Sequence, residues 1–579
     1  MTRSTWHRLK ARLSSLFSRA ALAIPLFLCV LGPAFPAHAA TKEELKLGER
    51  IYREGILPSG ERLRVNLHGE PAAPGLTFTC ASCHLRSGLG AFDEGVYVPA
   101  INGEKLFKPL PRTYKGIVLN EGAEPPLRPA YTEAALIEAL RHGKDPNGRQ
   151  LSASMPQYQF EEKDLKLLVA YLKSLSVEFS PGISEDRIRI ATVVSDDLPP
   201  AKRDALFTTL TFFVNLKNGQ IKGFGNPRSG SKSRLMAENM LPSRELVTKS
   251  LSLARWVLRG SPDTWRAQLE EYYRNDPVFA MVGGAVNGSW QPIHQFCEQN
   301  GIPSIFPATD LPVLSENDWY TLYQSKGFYQ EGESAAHFLA QKQVNETALV
   351  EIVRESPQGK ALAAGFRHAW QELGQIAPVT VSLPAGEKLE AKALQSAMEK
   401  AGEGGRAVRL LVWDDASALP ALALFKEKLR PEALVLSGRY LGESLWTLPE
   451  PVRGFTYLTY PYIFMPLPKP VMGRTLIPED TKQAMRKGEV PVRSETQQVI
   501  AQTNAVTQLL SLLLMDLKGN YYRDNLLDVA GMMTDQPHPL FGRLSFGTGQ
   551  RYASKGCYVV QLGPGTNPEL VKQTGWSAQ

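Results

Sequence analysis

Five consecutive residues, Cys80-Ala81-Ser82-Cys83-His84, hold the strongest chemistry in the chain. Two thiols three positions apart add across the vinyl groups of a haem, and the imidazole that follows reaches the iron. The rival uses of such a pair are weaker. Zinc asks for two more ligands at comparable spacing, and none appear. A redox dithiol belongs at the end of a strand in a βα unit, whereas the surroundings here are rich in Gly and Pro. The spacing therefore predicts one covalent haem c on Cys80 and Cys83, with His84 as axial ligand.

The other axial position needs a donor from elsewhere. Met155, in Ser152-Ala153-Ser154-Met155-Pro156-Gln157-Tyr158, is followed by a proline that stiffens its loop. His68 and His142 are rivals, but His68 lies in a polar loop and His142 ends a helical segment, where a histidine suits the C-terminal dipole. The plain alternative for Met155 is to fill a gap in a core. A thioether raises the reduction potential and occupies the position that oxygen or a substrate would need. That predicts an electron carrier rather than a catalyst, with no catalytic residue assigned.

Helical spacing at 43–52, 133–141 and 161–175 frames this site, with a Gly- and Pro-rich stretch from 58 to 129. Ser180-Pro181-Gly182 breaks the pattern, so a linker is expected at 179–186 between a unit at 41–178 and a larger one at 187–579. In the larger unit, apolar runs at 278–282, 304–307, 348–353, 379–381, 408–413, 433–436 and 455–460 alternate with helical segments at 290–299, 332–341, 359–373, 388–400 and 417–428. Alternation of this kind implies parallel sheets covered by helices, and nearly 400 residues suit two lobes.

The 579 residues carry a net charge of +7, 43% hydrophobic and 21% charged. Residues 1–39 hold five of the bases (Arg3, Arg8, Lys10, Arg12, Arg19) and no acid, so the remainder is nearly neutral and nucleic-acid binding has little electrostatic support. The same segment has an apolar run, 20–31, and Ala37-His38-Ala39, a small-x-small cleavage pattern; it reads as a signal peptide at 1–39. The expected location is the periplasm, with nothing embedded in the membrane after cleavage. Of five cysteines, Cys29 leaves with the leader, and Cys297 and Cys557 are either a disulfide or two buried thiols.

Residues 41–178 resemble the single-haem class I c-type cytochromes. The likeness rests on Gly48 and Tyr52 in the first helix, the CASCH, Pro99 in Val98-Pro99-Ala100-Ile101-Asn102-Gly103, the Met155-Pro156 pair and the closing Tyr171-Leu172. It implies a small all-α domain in which Pro99 presents its carbonyl to the His84 ring, and Tyr52 and Tyr171 pack where the terminal helices cross. More than twenty residues separate Tyr52 from Cys80, where the family has few. This insertion, 58–79, is a docking hairpin or a plain surface loop.

Residues 187–579 resemble the type 1 periplasmic solute-binding proteins, notably branched-chain amino-acid receptors of ABC importers. The stretches are 276–284 with 291–309 (ending GIPSIFPAT), 328–339, and Phe541-Gly542-Arg543-Leu544-Ser545-Phe546 followed by Cys557-Tyr558-Val559-Val560 as a closing hairpin. The resemblance implies a two-lobed α/β fold whose cleft takes a small solute. It nominates Asn287, Gly288, Ser289, Ala308 and Thr309 from the first lobe and Tyr329 and Tyr440 from the second; by residue type, Ser289 and Thr309 also suit helix N-caps. A glycine pattern at 283–288 is too loose for a dinucleotide site. His294, His337, His368 and His538 assemble into no catalytic set by spacing. The whole predicts a periplasmic cytochrome serving a redox partner, a dehydrogenase or terminal acceptor, with a module that binds a small molecule or docks that partner. The alternative is the substrate-binding receptor of an ABC-type importer with an accessory haem domain.

Overall fold

The computed structural model describes residues 40–578 except 68–69, 72–77, 94–95, 112–126, 225–248, 316, 343–346, 404, 424, 426–429, 463–493, 534, 539–540 and 548. The leader at 1–39, His68 and part of the 58–79 insertion lie outside the described residues.

The first unit is framed by the helices Lys42–Glu54 and Glu162–Ser174. Thr41 and Glu44 cap the first reciprocally, and Gly55 at φ 66° ends it. The helices cross at Gly48, where a Cβ would lie 2.3 Å from the Leu167 carbonyl oxygen, so only glycine permits the approach. Tyr52 and Tyr171 pack there with ring centroids 5.5 Å apart. The helix Glu133–His142 ends on left-handed Gly143, and His142 closes that last turn.

The unit is not all-α. Strands β1 (Arg64–Leu67), β2 (Glu70–Pro71), β3 (Ala91–Asp93), β4 (Val96–Val98), β5 (Leu110–Pro111), β6 (Leu127–Arg128) and β7 (Gln157–Gln159) form three small antiparallel sheets. The insertion supplies β1, which pairs with β7 in the register Val65↔Tyr158. Both residues of that pair are buried while Arg64 is exposed, so alternate burial marks a strand where the expectation was a hairpin or a plain surface loop.

Two parallel sheets follow. The first has the order β12-β11-β10-β8-β9, from β8 (Arg187–Ser195), β9 (Ser250–Leu258), β10 (Ala280–Val282), β11 (Ser304–Ile305) and β12 (Thr321–Leu322). The second runs β14-β13-β15-β16-β17 in parallel, from β13 (Ala348–Arg354), β14 (Val379–Leu383), β15 (Val408–Trp413), β16 (Ala433–Ser437) and β17 (Thr456–Tyr460). Helices such as Gln291–Asn300 and Pro357–Glu372 connect successive paired strands, the crossover that parallel pairing requires. This is a two-lobed α/β arrangement, as the alternation predicts. Within 417–428 the described helix is only Leu419–Leu422, preceded by a 3-10 turn.

The chain end departs from the expected hairpin. β18 (Gln536–His538) pairs with β19 (Gly542–Leu544), while β20 (Gly556–Leu562) joins the second sheet antiparallel to β17 and carries β21 (Leu570–Lys572). Residues 541–546 and 557–560 thus belong to different sheets. Between the lobes, the Tyr323 N–H donates to the Arg551 carbonyl at 2.8 Å and Ser554 N–H to Gln324 at 2.7 Å, so two crossover segments run side by side. Cys297 packs in the first-lobe core against Met281, whereas Cys557 lies in β20; both are buried and unbridged.

The linker is docked rather than free. Phe179 packs against Tyr521 and Tyr522, and Ser180 accepts from the Arg523 N–H. Arg523, on the helix Arg523–Gly531, donates to the carbonyls of Pro181, Val278, Phe279, Asn300 and Gly301. These carbonyls precede β8, β10 and β11, so this helix lies across the N-terminal edge of the first sheet.

Candidate functional site

Two arrangements stand out, at opposite edges of the first sheet. The CASCH forms one short helical turn, Cys80–His84, whose start is capped by Thr79 accepting from the Ser82 N–H. His84 is buried, and its Nδ1 lies 2.9 Å from the Pro99 carbonyl oxygen, the contact the resemblance implies. Donation from Nδ1 leaves Nε2 with a free lone pair in a fixed ring. Burial lowers the His84 pKa, partly offset by the Pro99 carbonyl, which keeps the imidazole neutral as a ligand must be. Burial also pushes the Cys80 thiol up to about 12, and the Tyr158 hydroxyl hydrogen-bonds its sulfur.

Tyr158 follows Met155 by three residues in the chain. Met155 packs against the cluster that contains Cys80, Leu106, Leu136 and Tyr158. The pairing of β7 with the insertion strand β1 holds the residues after Pro156 beside that cluster. A short turn with one buried and one exposed thiol, an oriented imidazole and a thioether beside the same core are the residue types a covalently held haem would need, and the residues present fit that group. Cys80 and Cys83 would hold it and His84 and Met155 would ligate it. Among the described residues, no group of three or more His, Cys, Asp or Glu side chains could hold a separate metal ion.

The segment after His84 seals this unit to the first lobe. Asp528 accepts the backbone N–H groups of Arg86 at 3.2 Å and Ser87 at 2.8 Å. Burial raises its carboxyl to about 6, against the lowering effect of those bonds. Asp524 accepts from Arg53 and from the Tyr320 hydroxyl at 3.0 Å, with Arg86 at 3.7 Å. None of these residues was nominated from the sequence, because their partners lie hundreds of positions away.

The second arrangement is the facing pair of strand ends. In the first lobe, the hydroxyl of Ser195, the last residue of β8, accepts the Asn287 N–H at 2.9 Å, and the Asn287 amide donates to Asp197 at 3.1 Å. Asn287, Gly288 and Ser289 form an exposed loop. Ser289 accepts from the Gln291 N–H at the helix start, and Ala308 donates its N–H to Gly284. Thr309 caps no helix; its hydroxyl accepts from Leu311 within a loop. In the second lobe, Tyr440 shares a 2.6 Å hydrogen bond with Ser356, which caps the helix Pro357–Glu372. Beside them Arg354 clamps Asp414 at 2.7 and 2.8 Å. Tyr329 departs from its nomination: its neighbours are Lys326 and the exposed His368, on the outer side of the helix pair.

Among the described residues, an ion pair joins the two lobes. Arg439, from the end of β16, donates to Asp310, in the connection from β11 to β12, at 2.6 Å. Gln498 reaches the same carboxylate at 3.5 Å. The Arg439 guanidinium also lies 3.2 Å from Glu331, whose other oxygen accepts from Ser437 at 2.8 Å and Thr459 at 2.6 Å. Burial pushes the Glu331 carboxyl up to about 7, although Arg439 and the two hydroxyls favour the charged form. The nominated Thr309 and Tyr440 each sit one residue from this pair. Next to Arg439 is a cavity of about 40 Å³ lined by Trp446, Tyr460, Tyr462 and Gln498, room for water but not for a solute. His294 is a satisfied core residue, bonded to Asp318 at 2.8 Å and to Tyr323 at 3.0 Å.

No family model matches the chain, and no curated protein does. Among solved structures the chain is similar to an ABC-type branched-chain amino acid transporter protein from Rhodopseudomonas palustris CGA009, at 14% identity, covering 68% of this chain and 97% of that one, with a TM-score of 0.47. It is also similar to a branched-chain amino acid ABC transporter protein from Thermus thermophilus solved with bound valine (13% identity, 68% and 97% covered, TM-score 0.43). A fatty acid ABC transporter substrate-binding protein from Thermomonospora curvata is a third (14% identity, 69% and 95% covered, TM-score 0.42).

Proposed function

We propose that the protein is an exported, haem-bearing receptor: its two lobes close on a small amino-acid-like solute, and its first unit carries one covalent haem c for electron exchange with a periplasmic partner, a dehydrogenase or terminal acceptor. The observation that carries the receptor part is the Arg439–Asp310 pair, which bridges the lobes at the carboxyl ends of both sheets. A solute carboxylate takes the place of Asp310 on Arg439, and a solute ammonium takes the place of Arg439 on Asp310. A zwitterion can therefore replace both halves of a contact that closes the empty cleft. The exposed Asn287–Ser289 loop and the Ser356–Tyr440 pair border this opening.

When bound, the haem supplies one-electron transfer. Cys80 and Cys83 would hold the group, His84, its ring fixed through Pro99, would ligate it, and the Met155 thioether would be a second ligand. Position argues against chemistry between solute and iron. The helix that docks the first unit contacts Val278, while the cleft begins beyond Gly284, about 20 Å further at ~3.3 Å per residue. An importer receptor with an accessory haem suits this separation better than a cytochrome that presents a solute to its own iron. Among the described residues no helix is long and apolar enough to cross a membrane.

Two measurements test the proposal separately. Titration of the full protein with L-leucine, L-glutamate and succinate, read by calorimetry and melting, should give saturable binding for at least one amino acid, weakened at least tenfold by Asp310→Asn. No binding by any of them removes the solute class. For the haem, protein matured in a host that attaches c-type haem should keep its colour through acid–acetone extraction. Replacing both Cys80 and Cys83 by Ser should abolish that retention, and colour lost from the unmodified protein removes the haem assignment.

A further inference from the structure

Where the first unit, the first lobe and the lobe crossover meet, two arginines share one indole. The Arg551 guanidinium carbon lies 3.7 Å from the ring centre of Trp319, and that of Arg86 lies 4.5 Å from the same ring. Arg551 is only 6% exposed and has no carboxylate within ion-pair distance among the described residues. Arg86 has one acidic neighbour, Asp524, at 3.7 Å. The Nε atoms of both arginines and the Nε1 of Trp319 are buried without a hydrogen-bond partner. Three donors around one indole thus lack an acceptor, a costly state for buried polar groups.

The carboxylates nearby are committed elsewhere. Glu298 accepts the backbone N–H groups of Trp319, Tyr320 and Thr321. Asp524 serves Arg53 and Tyr320, and Asp528 serves the backbone of Arg86 and Ser87. Burial, and then the charge of Arg86, push the pKa of Arg551 down to about 10, against the raising effect of the Glu298 and Asp528 carboxylates, neither of which pairs with it directly.

We propose that the Arg86–Trp319–Arg551 cluster is a binding site for a small free oxyanion, such as inorganic phosphate, sulfate or a short carboxylate. Planar guanidinium groups present paired N–H donors that match such oxygens, and the indole N–H supplies a further one. The site is separate from the cleft and stands whether or not the CASCH turn carries a haem. Its occupant would tie the crossover residue Arg551, whose carbonyl bonds Tyr323, to the segment two residues beyond His84.

The test uses the full protein in a chloride buffer free of oxyanions. Adding inorganic phosphate at constant ionic strength should give a saturable rise in melting temperature and a calorimetric binding signal. Arg551→Met should abolish both, while its melting temperature without phosphate stays equal to or above that of the unmodified protein, since a buried unpaired charge has been removed. Arg86→Met, read the same way, should weaken phosphate at least tenfold and provides the answer if the first variant does not fold. Arg543→Met, at an exposed arginine paired with Asp535, should leave the response intact. A melting temperature indifferent to phosphate, or a response retained by Arg551→Met or Arg86→Met, overturns the proposal.

Discussion

The seam between the first unit and the first lobe differs from the cleft between the lobes in what it bonds. At the seam, Asp528 holds backbone N–H groups, and Asp524 gathers Arg53, Arg86 and Tyr320. Half-exposed Phe179 packs against two tyrosines of the lobe. Across the cleft the clearest contact is one side-chain ion pair, Arg439–Asp310, assisted by Gln498. Backbone groups that lose a buried acceptor cannot rotate to another, whereas side chains at a cleft mouth can turn to solvent or to a solute. The seam is therefore built to stay shut and the cleft to open.

Breaking the seam should have the largest effect. Asp524→Ala strands Arg86 and leaves Arg53 only its partner Glu49, and should cost about 3 kcal/mol. Denaturant unfolding should then split into two transitions, one for each side of the seam; a single unshifted transition would show that the seam contributes little. Next comes Glu331. Its folded pKa near 7 lies above the usual carboxylate value, so its contribution is present in full below about pH 4.5 and is lost as pH rises through 7. The fall should be on the order of 2 kcal/mol, and Glu331→Gln should flatten the stability–pH curve over that range. Asp310→Asn should cost only ~1 kcal/mol, and solution scattering should report a larger radius as the lobes part. The smallest effect is expected from Asn287→Ala, below ~0.5 kcal/mol because this loop is exposed. Solute affinity, measured in the same variant, should fall several-fold if the loop borders the cleft.

The parts of this comparison were unequally legible in the sequence. Runs such as 408–413 and 433–436 became β15 and β16 within a residue, because strands buried on both faces read as continuous apolar segments. The CASCH turn and Pro99 could be named because that signal is local. The strands β1 and β7 could not, since each is too short to show a period and is defined only by its partner. The seam was invisible for a related reason: Asp524, Asp528, Arg86 and Trp319 are ordinary surface types until the fold brings them together. At the cleft, the nominated residues are neighbours of the ion pair rather than its members. Thr309 and Tyr440 had the hydroxyls expected of a binding loop, while the bridging groups were the adjacent Asp310 and Arg439.

Arg523 sets a timetable for making the protein. It bonds the carbonyl of Pro181, 342 positions earlier, together with carbonyls at the starts of two further strands. A ribosome or a translocation channel releases residue 181 long before residue 523. The earliest-made lobe must therefore wait, its edge carbonyls open to water or to chaperones, until almost the whole polypeptide has emerged. Assembly of the first sheet is consequently a late and slow event governed by long-range closure, and truncation anywhere before residue 523 should leave that lobe unfinished rather than merely shorter.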